Sequence, residues 1–171
     1  MIRPIVKYGD ATVHRPAAPV SEVTPEIRQL VDDMILTMYA APGVGLAAPQ
    51  VGVPLRIFVV DVSLGRRAED LRVVINPKVE AREGTQLEEE GCLSVPGFTA
   101  TVVRPSSITV SGLDRDGHPQ VIEGRELLAR ALQHEIDHLD GVLFVDRLRG
   151  IKRQQIVRRI HKLQRDRKSV V

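Results

Sequence analysis

The sequence holds a single cysteine, Cys92, so an internal disulfide is excluded. It has little net charge: 24 basic side chains against 22 acidic ones give +2. That balance excludes a chain that binds nucleic acid through its overall charge. No apolar run reaches the ~20 residues of a membrane-spanning helix. The opening stretch MIRPIVKYGD lacks the apolar region of a secretory signal. These absences lead us to expect a cytoplasmic protein that does not enter membranes. In a reducing compartment a lone cysteine is a buried apolar residue, a nucleophile or a metal ligand. Repeats, linkers and low-complexity segments are missing too. One domain over residues 1–171 is therefore expected, long enough to bury a real core.

What is present reads as helices at both ends and strands between them. The proline-rich first stretch, through HRPAAPVSEV, predicts extended loop. TPEIRQLVDDMILTMYAAPG predicts a helix, with Thr24 as cap and Pro25 in the first turn. Ile27, Leu30, Val31, Met34, Ile35 and Met38 form its apolar stripe, so the methionines are read as core. GVGLAAPQVG is too rich in Gly, Ala and Pro for a strand interior. LRIFVVDV and LRVVINPKV predict strands, and RPSSITVSGLDRDGHPQVIEG a hairpin turning at Asp116-Gly117. RELLARALQHEIDHL predicts a helix ended by Gly141. IKRQQIVRRIHKLQRDRK predicts a last amphipathic helix that buries Ile156, Ile160 and Leu163. The expected class is α+β: mixed or antiparallel sheets around a central helix, flanked by an N-terminal and a C-terminal helix.

The central helix carries chemistry. His134, Glu135 and His138 stand in the pattern H-E-x-x-H, which places two imidazoles on one helix face, close enough to share a metal ion. A catalytic metal of this kind needs a third protein ligand and an open position for water. A third histidine six residues on would make a metzincin, but that position is Phe144. No glutamate follows His138, so the downstream glutamate ligand of the gluzincins is absent as well. Upstream stands EEEGCLSVPG. Cys92 is the best third ligand there, with Gly91 leaving room for close backbone approach and Pro96-Gly97 marking the next turn.

Three stretches now stand in order: GVGLAAPQ (43–50), EGCLS (90–94) and QHEIDH (133–138). In these, and in VDDMILTMYA and GVLF, the chain resembles the bacterial-type peptide deformylases over nearly its whole length. The resemblance implies removal of the formyl group from N-formylmethionyl nascent peptides, with release of formate. It implies metal ligation by Cys92, His134 and His138, attack by metal-bound water, and Glu135 as general acid and base. It further implies an oxyanion held by the backbone N–H of Leu93 and the side-chain amide of Gln50. Gly43 and Gly45 let the backbone approach an extended substrate, and the N–H of Gly45 would hold it. An apolar methionine pocket is expected from Val44, Leu127 and Ala131, with the His134 ring as a wall. Arg130, one turn before His134, either contacts substrate backbone or pairs with a nearby acid. The donor set suits iron, zinc, cobalt or nickel; by resemblance the physiological ion is Fe2+. The sequence departs from many relatives at Thr99 and Ala100, where they carry an arginine near the substrate mouth.

Two rivals differ in class. A zinc peptidase would share the helix motif, but it lacks a use for the EGCLS cysteine. A non-enzymatic RNA- or ribosome-binding module would account for the tail (147–171), where ten basic residues from Arg147 to Lys168 face one acid, Asp166. A structural metal would take four protein ligands, and three are found. Catalysis and ribosome binding through the tail are compatible.

Overall fold

The computed structural model describes residues 1–169, with side chains as far as Arg165. Among these, three α-helices and seven strands appear in the order α1, β1–β7, α2, α3. Helix α1 spans Pro25–Ala40. Thr24 starts it: its hydroxyl accepts the Ile27 N–H at 3.2 Å, and Pro25 sits where its missing N–H costs nothing. Leu30, Val31, Met34 and Met38 are buried against Leu46, Ile57, Val59 and Ile75, so the methionines are core, as their spacing predicts.

Strands β1 (Gly45–Ala47), β2 (Ile57–Val60) and β3 (Arg72–Glu83) are followed by β4 (Gln86–Cys92) and β5 (Val95–Arg104). Then come β6 (Ser107–Leu113) and β7 (Pro119–Arg125), the expected hairpin. Five of the strands form one sheet in the order β1-β2-β3-β6-β7, while β4 and β5 form a separate pair. Every strand pair is antiparallel. Among the described residues, parallel pairing is confined to a single bridge between Ala18 and Leu55. The fold is α+β, with antiparallel sheets and three helices.

Helix α2 (Glu126–Leu139) lies across the large sheet and buries residues around nearly its whole circumference. Leu132, Ile136 and Leu139 pack on Phe58, Val60, Val74 and Val110. Gly141 ends the helix at φ +79, its N–H reaching the His138 carbonyl at 3.2 Å. The last helix, α3 (Gly150–Ser169), buries Ile156 and Ile160 beside Val95, Ala100 and Val102 of β5.

Four expectations need correction. Gly45–Ala47 is a strand after all; it pairs with β2, and Ala47 packs under α2 while Leu46 packs under α1. Pro96-Gly97 is not a turn. The chain reverses at Leu93-Ser94, and Pro96 falls in β5 beside the bulge where pairing jumps from Gly91 to Cys92, so its missing N–H breaks no ladder bond. The N-terminal stretch is not wholly extended, because Ala11–His14 forms a 3-10 turn capped by Asp10. Leu163 does not join the buried stripe of α3; it is 49% exposed, and there it is Gln164 that meets the body, at the Tyr8 carbonyl. The tail residues Arg167 and Lys168 lie outside the described side chains.

Candidate metal centre and cleft

Two elements bring the ligand candidates together. α2 supplies His134 and His138 one turn apart, and the end of β4 supplies Cys92. The Cys92 sulfur lies 3.2 Å from His138 Nε2, which lies 3.2 Å from His134 Nε2. These donor atoms all lie within 4.8 Å of one another. A tetrahedral ion with bonds of 2.0–2.3 Å sets its ligand atoms roughly 3.3–3.6 Å apart. The donors thus occupy positions close to the corners such an ion requires, and sulfur with two imidazoles is a suitable donor set. His138 is fully buried.

A shell of hydrogen bonds orients these groups. His134 Nδ1 meets Glu90 Oε1 at 2.7 Å, which turns Nε2 toward Cys92 and His138. Glu90 is itself gripped by Arg104 at 2.5 and 2.8 Å and by Arg130. Arg104 continues to Asp137 at 2.9 Å, and Arg147 binds the same carboxylate at 2.6 and 3.0 Å. Burial works to raise the Glu90 carboxyl, but Arg104 and His134 outweigh it and hold the group at about 2. Burial works against charge on His134, yet hydrogen bonds to Cys92 and Glu90 raise it well above the ordinary imidazole value. Burial, then the neighbouring His134, push His138 well below that value.

Glu135 differs from all of these. It is 2% exposed, and its Oε2 has no hydrogen-bond partner among the described residues. Desolvation pushes its carboxyl up to about 7, although the charge of His134 opposes the shift. A Cβ placed on Gly45 would stand 2.9 Å from that Oε2, so glycine there makes room for the carboxylate. Gln50 is held in a 3-10 turn, Ala48–Val51. Its Oε1 accepts the Ala47 N–H at 3.0 Å, and its Nε2 reaches Ser94 Oγ at 3.1 Å and Cys92 sulfur at 3.5 Å.

These groups face a cleft of about 650 Å³. Gly43, Val44, Gly45 and Gln50 form one wall, Cys92 and Leu93 another, and Leu127, Ala131, His134 and Glu135 a third. β1 is an edge of the large sheet and β4 an edge of the small one, so backbone borders the cleft on two sides. His138 lies behind its lining. Arg130 borders the cleft, but its guanidinium is committed to Glu90, to the Val102 carbonyl at 2.9 Å and to Gln86 at 3.2 Å. Of its two expected roles, the structure has the acid pair. Thr99 lines the mouth, whereas Ala100 turns into the core.

Sequence reasoning missed Glu90, Arg104 and Ser94, and the cleft residues Ile5, Lys7 and Phe98. Glu90 stands in a run of three glutamates, and nothing local distinguishes the one that folds inward except strand alternation with Gly91 and Cys92. Ile5 and Lys7 come from a segment without periodicity.

A family model for polypeptide deformylase matches residues 2–154. The chain is 52% identical over 165 residues to the peptide deformylase of Acidobacterium capsulatum, covering 96% of this chain and 97% of that protein. The chain belongs to the peptide deformylase family. Members remove N-formyl groups from nascent peptides, and this deformylase is accordingly a hydrolase of a formylated amide. Deformylases are metalloenzymes, and the Cys92, His134 and His138 cluster is a fitting metal site. Among solved structures, a peptide deformylase from Legionella pneumophila superposes with a TM-score of 0.91 at 45% identity, covering 98% of both chains. A peptide deformylase from Ehrlichia chaffeensis in complex with actinonin gives 0.88 at 39% identity, over 96% of this chain and 98% of that one. No helix among the described residues is long and apolar enough to cross a membrane.

Proposed function

We propose that this chain hydrolyses the formyl amide of N-formylmethionyl peptides, with Cys92, His134 and His138 holding one divalent metal ion and Glu135 carrying the proton. One observation carries the reading: a buried carboxylate, unpartnered at Oε2, beside three converging metal donors in an open cleft. The ion, Fe2+ physiologically with Zn2+, Ni2+ or Co2+ as substitutes, supplies Lewis acidity to water and to the formyl oxygen. Glu135 takes a proton from the attacking water and returns it to the departing amine. Its carboxyl, near 7 in the metal-free chain, is suited to both halves of that exchange near neutral pH.

The remaining roles belong to binding and positioning. The peptide lies extended between the edges of β1 and β4, with the Gly45 N–H as a backbone donor. Its methionine side chain rests on Val44, Leu127, Ala131 and the His134 ring. Negative charge on the formyl oxygen in the transition state is met by Gln50 Nε2 and the Leu93 N–H. Arg130 acts through Glu90, which fixes His134. The exposed basic side chains of α3 contact ribosomal RNA and bring the enzyme, in the cytoplasm, to its substrate.

The test is formate release from a formyl-methionyl tripeptide by metal-loaded protein purified without oxygen. Release of formate with the rest of the peptide intact supports the reading. Cleavage of an internal peptide bond without formate, or no turnover with any of the four ions, overturns it.

A further inference from the structure

A second concavity lies on another face of α2, away from the metal cleft. It holds about 170 Å³ and is lined by Arg82, Arg104, Gln133, Asp137 and Arg147. We propose that this hollow binds a tetrahedral oxyanion of the sulfate or phosphate class.

The argument is one of unmatched charge. Glu90 pairs with Arg104 and Arg130, and Asp137 pairs with Arg104 and Arg147. Two carboxylates therefore serve three guanidiniums. Arg82 brings a fourth to the rim and has no carboxylate within 4.0 Å among the described residues. Of the side chains that line the hollow itself, three are guanidiniums (Arg82, Arg104, Arg147) and one is a carboxylate (Asp137), so positive charge is in excess there, where low-dielectric walls concentrate the field. Donors remain as well. Arg147 spends Nε and Nη2 on Asp137, its Nη1 has no partner among the described residues, and its side chain is 49% exposed. Arg82 makes no side-chain hydrogen bond among the described residues. Two guanidinium forks on one rim suit an anion with several equivalent oxygens.

The hollow is also rigid. Gln133 donates to the carbonyls of Pro105 and Ala129 at 3.1 and 2.9 Å, and Arg104 is 4% exposed. Such a site needs little ordering when it is filled. The chemistry is shared by two sources, a free inorganic oxyanion and a phosphodiester of RNA.

The test uses metal-loaded full-length protein and sodium sulfate, read by melting temperature against sodium chloride at equal ionic strength. Sulfate should raise the wild-type melting temperature at millimolar concentration. Arg82→Gln should need about tenfold more sulfate for the same rise, with deformylation of a tripeptide unchanged. Arg158→Gln, which removes the same charge from an exposed site on α3, should respond like wild type. A short single-stranded RNA distinguishes the sources. Competition with sulfate, lost in Arg82→Gln, assigns the phosphodiester, and sulfate binding without competition assigns the free anion. A wild-type response no larger than that to chloride overturns the site, as does an equal loss in the two variants.

Discussion

Glu135 and Cys92 sit in one cleft but fail differently when removed. Cys92→Ala takes away a metal donor, so bound metal and activity should fall together in metal analysis and formate release. Glu135→Gln leaves all three donors in place. It should retain metal while turnover drops about 10²–10⁴-fold, the usual worth of a positioned acid–base group; wild-type turnover would reject the role. Gly45→Ala is subtler. The new methyl would meet the Glu135 carboxylate at 2.9 Å, and the flexible end of that side chain can move aside. Melting temperature should change little while turnover falls at least tenfold, because the proton carrier is displaced. The histidines also predict how metal affinity depends on pH. His134 is held well above the ordinary imidazole value, so below that raised value it carries a proton that a metal must expel. Affinity measured by chelator competition should therefore rise with pH across the neutral range; a flat profile would contradict the assignment.

Among the elements, α2 ties the large sheet to the metal donors, and its C-terminal end is the vulnerable point. Gly141 has φ +79, and a Cβ there would come within 2.8–2.9 Å of backbone atoms of His14 and Arg15. Backbone cannot step aside as a carboxylate can. Gly141→Ala should cost about 2–4 kcal/mol, from the left-handed conformation and the overpacking together. A denaturant melt showing less than 1 kcal/mol of loss would mean that the Arg15 segment moves freely. The β4–β5 hairpin is the other half of the site. Its turn is tied to the N-terminal segment by Tyr8 N–H to Ser94 O at 2.8 Å, so Cys92 depends on a segment 84 residues away by number (92 − 8).

At the scale of the molecule, buried charge sets the response to acid. Glu90 titrates at about 2 against an ordinary 4.5. A depressed carboxylate stabilises the fold fully above its unfolded value, and the contribution is lost as pH falls from about 4.5 through about 2. Stability measured by urea unfolding should drop across that window. Glu90→Gln should flatten the drop, and it should lower stability at neutral pH by about 3–5 kcal/mol, since Arg104 and Arg130 would lose a buried partner. The tail offers a separate test. Replacing Arg158, Arg159, Arg165 and Lys168 with Gln should leave tripeptide deformylation intact. Ribosome binding should weaken, and wild-type binding should fall steeply with salt as phosphate contacts release counterions. Equal binding by both proteins at low salt would reduce α3 to a solvated helix.

The sequence by itself determined the elements whose signals are local. Thr24-Pro25 starts α1 because a cap and a proline act within one turn. H-E-x-x-H places two donors on one face because a helix has a fixed period. Cys92 emerged by elimination, since neither a histidine at position 144 nor any glutamate stood downstream. The tertiary structure decided what depends on distant partners. It chose Glu90 from three adjacent glutamates, because only that one meets His134, Arg104 and Arg130. It committed Arg130 to an acid pair, and it left Leu163 exposed although its spacing matches a buried stripe. It also made a strand of Gly45–Ala47, whose composition opposes one, because β2 offers it a ladder and Glu135 needs the space above Gly45. Periodicity reports how a segment folds on itself; which charges meet, and which face finds a neighbour, follows from long-range packing that no short window contains.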